Sequence, residues 1–120
     1  MVAIRHFVHQ VDKAVEFYTK QLGFALKEDW GPVAVLSKDG IELWISGPSS
    51  SAGKTLVNGR KPEPGKSNRL VLRVENLQAK LSELKEVGVQ PCSDWVKGPA
   101  GSWILVADPA GNAIELFQPK

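Results

Sequence analysis

An internal repeat limits the fold of this chain more than any other feature of its sequence does. Each half contains a strand-like segment, an amphipathic helical segment and then three further strand-like segments. The helical segments run into Gly23 and Gly88, and glycine is the residue that most often follows the last turn of a helix. The pattern predicts an α+β fold made of two tandem βαβββ modules.

The periodicity of apolar residues places the elements within each module. In the first module the helix is predicted to present one apolar face, formed by Val11, Ala14, Val15, Tyr18 and Leu22. In the second module the corresponding face is Leu77, Leu81, Leu84 and Val87. Asp12 and Asn76 are the predicted N-caps. Strands are predicted at 2–8, 24–29, 33–36 and 41–46 in the first module, and at 69–74, 89–96, 102–107 and 113–117 in the second.

Matching segments follow one another in the same order in both halves. Val8 matches Val74 at an offset of 66, since 74 − 8 = 66, and Asp29-Trp30 matches Asp94-Trp95 at 65. Ile41-Glu42-Leu43-Trp44 matches Ile114-Glu115-Leu116-Phe117 at 73. We therefore predict one domain over residues 1–120, with module one at 1–46, a linker at 47–67 and module two at 68–118.

The predicted linker is rich in Gly, Pro, Ser and Lys, so it has few apolar side chains to bury. Two interpretations stay open for it. It is either a tether between the modules or a lid over a bound ligand, in which case Arg60, Lys61 and Lys66 could reach that ligand.

Charge and cysteine content narrow the classes of function. The chain has 15 basic and 13 acidic residues, a net charge of +2, and its basic residues are scattered, which argues against a nucleic-acid partner. Cys92 is the only cysteine, so no intrachain disulfide can form. We find neither a signal-peptide pattern nor an apolar run of about 20 residues, and we expect a cytoplasmic protein that does not bind membranes.

The repeat resembles the vicinal oxygen chelate superfamily, which includes glyoxalase I, extradiol dioxygenases and bleomycin-resistance proteins. The residues that carry the resemblance are Ala14-Val15-Glu16-Phe17-Tyr18 and Leu22-Gly23-Phe24 in module one, and residues 108–116, Asp-Pro-Ala-Gly-Asn-Ala-Ile-Glu-Leu, in module two. The resemblance implies that the strands curve into a cup of mixed sheet with the helices on its outer face. It also implies a homodimer.

Metal enzymes of that superfamily place their ligands at four strand positions, which fall here on Ala3, Glu42, Arg69 and Glu115. Ala3 has no donor atom, and Arg69 is a permanent cation that would repel a metal ion. We therefore predict no metal and no other cofactor, as in the bleomycin-resistance-like branch that lacks metal ligands.

Strand alternation predicts which side chains would face the cup. The predicted ligand-binding residues are Arg5, Phe7, Glu42, Trp44, Arg69, Glu115 and Phe117. Two interpretations of their charges stay open. Glu42, Arg69 and Glu115 either form a buried ion network in place of a metal, or they also orient a polar ligand between aromatic walls.

The other histidine, cysteine and tryptophan residues are expected to have structural roles. His6 should lie on the face of its strand opposite Arg5, and His9 should lie in the turn before the helix. Cys92 is expected to be a buried or inert thiol. Trp30 and Trp95 are predicted at a rim or dimer interface, and Trp103 is predicted in the core or an interface.

These features favour a metal-free protein that binds a small aromatic or amphipathic molecule, for example to sequester a drug or metabolite. The first alternative is a metal-dependent lyase or dioxygenase of the glyoxalase type. The second is a metal-free enzyme that uses Glu42 or Glu115 with Arg69 as the partner of an oxyanion. We identify no catalytic residue from the sequence.

Overall fold

A computed structural model of the chain describes residues 2–50, 63–65, 69–98 and 101–120. Its contacts divide it into two compact units. The first comprises Met1–Lys66 together with Asp108–Asn112, and the second comprises Ser67–Ala107 together with Ala113–Lys120. Arg60, Lys61 and Lys66, the residues of the predicted lid, lie outside the described residues.

The first unit is a four-stranded sheet with one helix. Its elements are β1 (Val2–Phe7), α1 (Val11–Glu16), a π-helical segment (Phe17–Gln21), β2 (Ala25–Asp29), β3 (Val33–Lys38) and β4 (Ile41–Ser46). The strands lie in the order β1-β4-β3-β2, with β1 parallel to β4 and the other pairs antiparallel. Helix α1 contacts β3 and β4. The core of the unit includes the fully buried Tyr18, Leu36, Leu43 and Ile45.

The second unit has the same connectivity. Its elements are β5 (Arg69–Arg73), α2 (Leu77–Glu86), β6 (Val96–Lys97), β7 (Gly101–Ala107) and β8 (Ala113–Pro119). The strands lie in the order β5-β8-β7-β6, with β5 parallel to β8. The apolar face of α2, formed by Leu77, Leu81 and Leu84, is buried, as the periodicity predicts. The predicted α+β fold of two βαβββ modules is therefore confirmed.

The helix ends differ from the prediction in two places. The carboxamide of Asn76 accepts a hydrogen bond from the backbone N–H of Ala79 at 2.9 Å, so the predicted cap of α2 is confirmed. Asp12 is not the cap, because α1 begins at Val11 and Gln10, two residues before Asp12, occupies the cap position without a side-chain hydrogen bond. Val87 is 54% exposed, because α2 ends at Glu86 and the chain turns away at Gly88 with φ +87°.

The predicted strand at 89–96 is largely wrong. Only Val96–Lys97 pairs as a strand, although the preceding segment still bonds to β7. The N–H of Cys92 donates to the carbonyl of Leu105 at 2.8 Å, and the N–H of Leu105 donates to the hydroxyl of Ser93 at 2.9 Å. A side chain thus replaces a backbone partner here, and the segment does not continue as a regular ladder.

No helix in the described part of the chain is long and apolar enough to cross a membrane.

Candidate ligand-binding site

Charged and aromatic side chains of the first unit lie together on one face of its sheet. The parallel pairing of β1 with β4 sets Ala3 beside Glu42 and Arg5 beside Trp44. The antiparallel pairing of β3 with β4 sets Val35 on the other side of Trp44. Side chains alternate along a strand, so the intervening residues point to the opposite face, where the fully buried Leu43 and Ile45 pack in the core.

A cavity of about 470 Å³ opens on this face. Its volume lies in the range of sites that hold small molecules, roughly 300–1,000 Å³. Strands β1, β2, β3 and β4, together with Trp30 in the turn between β2 and β3, supply aromatic, aliphatic and charged side chains to its lining. The lining residues are Arg5, Lys27, Glu28, Trp30, Val33, Val35, Glu42 and Trp44.

Glu42 is held by two neighbours inside this cavity. The indole N–H of Trp44 donates to Oε1 at 3.0 Å, and Nζ of Lys27 lies 3.4 Å from Oε2. The hydrogen bond from Trp44, followed by the contact with Lys27, lowers the pKa of the Glu42 carboxyl below its usual value. Glu42 therefore remains a carboxylate near neutral pH, which makes it a weak general base.

Arg5 is held over an aromatic ring in the same cavity. Its Nη1 donates to the hydroxyl of Ser46 at 2.8 Å, and its guanidinium carbon lies 5.0 Å from the centroid of the Trp44 ring. That distance is within the range of a cation–π interaction. The two contacts fix the direction of the guanidinium group.

The second unit contains a related cluster. The guanidinium carbon of Arg69 lies 5.0 Å from the ring centroid of Trp103, and Nε of Arg69 lies 3.3 Å from Oε1 of Glu115. Phe117 is the strand neighbour of Trp103. Trp103, predicted in the core or an interface, is half-buried and lies beneath Arg69.

Hydrogen bonds at the ends of the first strands give a common reference for the two units. The N–H of Val8 donates to the carbonyl of Ser46 at 3.0 Å, and the N–H of Val74 donates to that of Phe117 at 2.8 Å. Val8 and Val74 each lie two residues before the residue that caps the following helix. Ser46 and Phe117 therefore occupy equivalent positions, at an offset of 117 − 46 = 71.

The sequence match between the two Ile-Glu-Leu segments is thus displaced by two residues from the structural one. At an offset of 71, the equivalent of Glu115 is Trp44, and the equivalent of Glu42 is Ala113. The offset of 73 predicts that the two carboxylates occupy equivalent strand positions. The strand register shows that they do not. The sequence match was misleading because the same letters, Ile-Glu-Leu, occur two residues apart in the registers of the two equivalent strands.

The structure brings three of the predicted site residues together. Arg5, Glu42 and Trp44 line the cavity, and Phe7 lies beside Ser46 in the strand register. Arg69, Glu115 and Phe117 lie in the second unit. The sequence analysis missed Lys27, Glu28, Trp30, Val33 and Val35 as lining residues. The signal available for them was the short turn at Gly31-Pro32, which folds β2 and β3 back beside the strand that carries Trp44.

The side chains at the superfamily's metal positions do not fit a metal ion. Both oxygens of Glu42 already have partners, and its strand neighbour Ala3 has no donor atom. Glu115 faces the cation of Arg69. Within the described ranges, no group of three or more His, Cys, Asp or Glu side chains could hold a metal. Divalent transition metals favour a nearly complete set of protein ligands, and the described residues of neither unit provide one.

Two other candidates are placed clearly. His6 is 6% exposed and packs near Tyr18, with ring centroids 6.3 Å apart, which agrees with the predicted structural role. Cys92 is exposed, so of the two alternatives for its thiol, buried or inert, the buried one is wrong. Its side chain is exposed although its backbone N–H bonds to the carbonyl of Leu105 in β7.

Comparison with solved structures gives the same fold over nearly the whole chain. An antibiotic-binding protein, TnmS3 from Streptomyces sp. CB03234, is 27% identical, with a TM-score of 0.77, covering 100% of this chain and 96% of that one. A lactoylglutathione lyase from Agrobacterium tumefaciens is 16% identical, with a TM-score of 0.72 and coverage of 98% and 92%.

A glyoxalase/bleomycin resistance protein/dioxygenase from Nocardioides is 21% identical, with a TM-score of 0.78 and coverage of 98% and 82%. No curated protein matches the chain. A family model matches residues 2–116, and with the two βαβββ units it establishes that the chain belongs to the glyoxalase/bleomycin resistance protein/dioxygenase superfamily.

Proposed function

We propose that this chain is a metal-free protein that binds a small aromatic or amphipathic molecule in the cavity beside Trp44. The observation that carries the proposal is the cavity of about 470 Å³, with two tryptophans, two valines and fixed charges in its lining. Sites for small organic molecules combine apolar walls with a few placed polar groups in this way.

The polar groups of the cavity are held in place before any ligand arrives. Trp44 is fixed by its hydrogen bond to Glu42, and Arg5 is fixed by Ser46. A site ordered in advance loses less conformational entropy on binding, so the same contacts yield a higher affinity. Such order favours recognition of a ligand over a merely structural set of charges.

The antibiotic-binding relative supports a binding role, because it shares 27% of its residues with this chain across almost its whole length. The metal-dependent lyase or dioxygenase has weaker support. The lyase neighbour is 16% identical, which speaks for the fold alone, and the side chains at the metal positions do not fit a metal ion. Proton transfer by Glu42 is disfavoured because its neighbours hold it in the charged form.

Isothermal titration calorimetry against a panel of neutral, anionic and cationic aromatic compounds would test the proposal. We expect at least one to bind, and we expect Trp44→Leu to weaken that binding about tenfold or more, since aromatic side chains supply large contact areas. Trp95→Leu is the matched control, because Trp95 lies outside the cavity in the second unit. No binding across the panel, or equal losses in both variants, would contradict the proposal.

We also propose that two copies associate as a homodimer. Strand β2 lies at the edge of the first sheet, all five of its residues are exposed, and Leu26 is 48% exposed. An exposed edge strand with an apolar side chain is a surface that a second chain can cover. Sedimentation velocity would give the mass in solution, and a single species at about 13 kDa over the micromolar range would refute the dimer.

A further inference from the structure

Glu42 and Arg5, the two charged side chains that contact Trp44, differ in whether a side chain of opposite charge lies beside them. Glu42 is balanced by the ammonium group of Lys27 and by the indole N–H of Trp44. Arg5 donates to a neutral hydroxyl, that of Ser46. In the part of the chain that the structure describes, no carboxylate pairs with the guanidinium of Arg5. The cavity therefore contains a cation whose charge is not matched by any side chain that the structure describes.

The second unit provides an internal comparison. There, too, an arginine lies 5.0 Å above a tryptophan ring, but the guanidinium of Arg69 is 3.3 Å from Glu115. An arginine over a tryptophan thus occurs in both units, although at different strand positions. Of the two arginines, only Arg69 has a carboxylate partner among the described residues. The cluster of Arg69, Trp103 and Glu115 is neutralised within the protein, whereas the cluster of Arg5 and Trp44 leaves its charge for another group.

Arg5 is well suited to hold an anion. Its guanidinium is planar, permanently charged and carries five N–H donors, of which Ser46 takes one from Nη1. The Trp44 ring lies 5.0 Å from the guanidinium carbon and limits the directions in which the other donors can point. Carboxylate groups match this geometry with two parallel hydrogen bonds, and such charge-assisted bonds are about twice as strong as neutral ones.

The other charges of the cavity oppose an anion only weakly. Glu42 is already neutralised, and Glu28 lies on the exposed edge strand β2, where solvent and salt screen its charge. The aliphatic part of the lining, Val33 and Val35, comes from β3, beside the strand that carries Trp44. An apolar surface and an unmatched cation therefore occur within one cavity.

We propose that the ligand of this cavity is an aromatic anion, a planar ring system bearing a carboxylate or a similar acid group that binds Arg5. The inference rests on the proposed binding function and narrows it to one chemical class. The ring of the ligand lies against the apolar lining, and the acid group replaces the missing carboxylate partner of Arg5. Cationic and neutral molecules of the same shape bind more weakly.

Three probes of nearly equal shape separate charge from shape: 2-naphthoate, 2-naphthamide and (2-naphthylmethyl)ammonium, each titrated calorimetrically into the full chain at pH 7. We expect 2-naphthoate to bind at least about tenfold more tightly than 2-naphthamide, since a hydrogen bond to a charged group contributes roughly that factor. The ammonium probe should bind most weakly, and added salt should reduce the preference for the acid.

Variants then assign the preference to one side chain. Arg5→Gln should remove the preference for 2-naphthoate while changing the affinity for 2-naphthamide less than threefold or so. Arg5→Lys should keep part of the preference, because it keeps the charge but loses the planar pair of donors. Lys20→Gln is the matched control for net charge, because Lys20 lies on the helix, outside the lining, and is well exposed. Circular dichroism verifies that each variant is folded.

The outcomes separate this inference from the proposed function. If the amide or the ammonium probe binds as tightly as the acid, or if Arg5→Gln weakens all probes equally, the anion preference is wrong and the binding function stands. If Lys20→Gln removes the preference as fully as Arg5→Gln does, the effect is one of net charge and the role of Arg5 is refuted. If none of the three probes binds, this inference is refuted, whereas the binding function depends on the wider panel.

Discussion

His6 lies in the core of the first unit with 6% of its surface exposed, and its Nε2 atom has no hydrogen-bond partner among the described residues. Burial disfavours the charged imidazolium and lowers the pKa of His6 below 6.5, although the nearby carboxylate of Asp108 acts in the opposite direction. The desolvation of the ring is the larger effect. His6 is therefore a neutral side chain in the folded protein near pH 7.

This burial predicts a stability that depends on pH. Below pH 6.5 the unfolded chain takes up a proton at His6 while the folded chain does not, so the free energy of unfolding should fall as pH falls from 6.5 towards the folded-state pKa. The loss from this group is at most about 1.4 kcal/mol per pH unit. Urea denaturation at several pH values measures it.

The variant His6→Leu should flatten this part of the pH profile, because it removes the titrating group. His9→Gln is the matched control, since His9 is exposed. An unchanged slope in His6→Leu would show that another group is responsible.

The sequence was sufficient to predict which face of the sheet a side chain lies on. It was not sufficient to predict which other side chains that side chain contacts. Alternation along β1 and β4 correctly set Arg5, Glu42 and Trp44 on one face. It could not predict that Glu42 pairs with Lys27, because that contact depends on how β2 folds back beside the sheet. The hydrophobic pattern specifies register only weakly for a strand without a buried face, and all five residues of β2 are exposed.

The two helices begin in different ways. Asn76 caps α2 with its side chain, whereas Gln10 occupies the same position of α1 without a capping bond. We expect Asn76→Ala to lower the free energy of unfolding by about 1 kcal/mol, because an N–H of the first turn loses its partner. Gln10→Ala, the matched control, should have little effect.

The converse change tests the same argument by gain of stability. Gln10 has φ −132° and ψ 110°, the extended conformation that suits a capping residue. Gln10→Asn should therefore raise the free energy of unfolding by about 1 kcal/mol or less. Equal effects of Asn76→Ala and Gln10→Ala in urea denaturation would contradict the assignment of the caps.

Strand β7 begins at a glycine that has no room for a side chain. A Cβ atom added to Gly101 would lie 2.1 Å from the carbonyl oxygen of Gln118 and 2.9 Å from Cα of Pro119, both backbone atoms of β8. We expect Gly101→Ala to destabilise the protein by about 2 kcal/mol or more, since part of the ladder must shift. Thermal unfolding measures the loss.

Gly98 provides the control for this substitution. A Cβ at Gly98 would meet its nearest atom, the carbonyl oxygen of Gly101, at 3.6 Å, an ordinary contact distance. Gly98→Ala should therefore change the melting temperature by much less. If the two variants have the same melting temperature, the close backbone approach at Gly101 does not contribute to stability.

The sequence predicted whether a segment is a helix or a strand more reliably than it predicted where that helix or strand begins and ends. Helix α2 was found from its three leucines, and its cap from Asn76, because both signals are local. The strand at 89–96 was overestimated, because the apolar residues there satisfy a strand pattern while Ser93 provides a partner from its side chain. A hydrogen bond to a residue twelve positions away leaves no local trace in the sequence.

Metal ions should not affect the stability of the whole chain. A ligand that binds only the folded state raises the free energy of unfolding with the logarithm of its concentration relative to Kd, and so raises the melting temperature. Neither unit offers a fitting set of metal ligands among its described residues, so excess EDTA should leave the melting temperature unchanged, and Zn²⁺, Ni²⁺ or Fe²⁺ should not raise it. A rise of several degrees with one of these ions would contradict this expectation.

The first unit includes five residues from near the far end of the chain, Asp108–Asn112. The Oδ2 atom of Asp108 accepts hydrogen bonds from the buried hydroxyl of Tyr18 at 3.0 Å and from the side-chain amide of Asn112, which also donates to the carbonyl of Phe7. A nascent chain that has emerged from the ribosome only as far as residue 66 would bury Tyr18 without its partner. Its first module should therefore reach its final packing only after residue 112 has been synthesised, so co-translational folding of this module must wait for a segment whose Asp108 lies 90 residues after Tyr18.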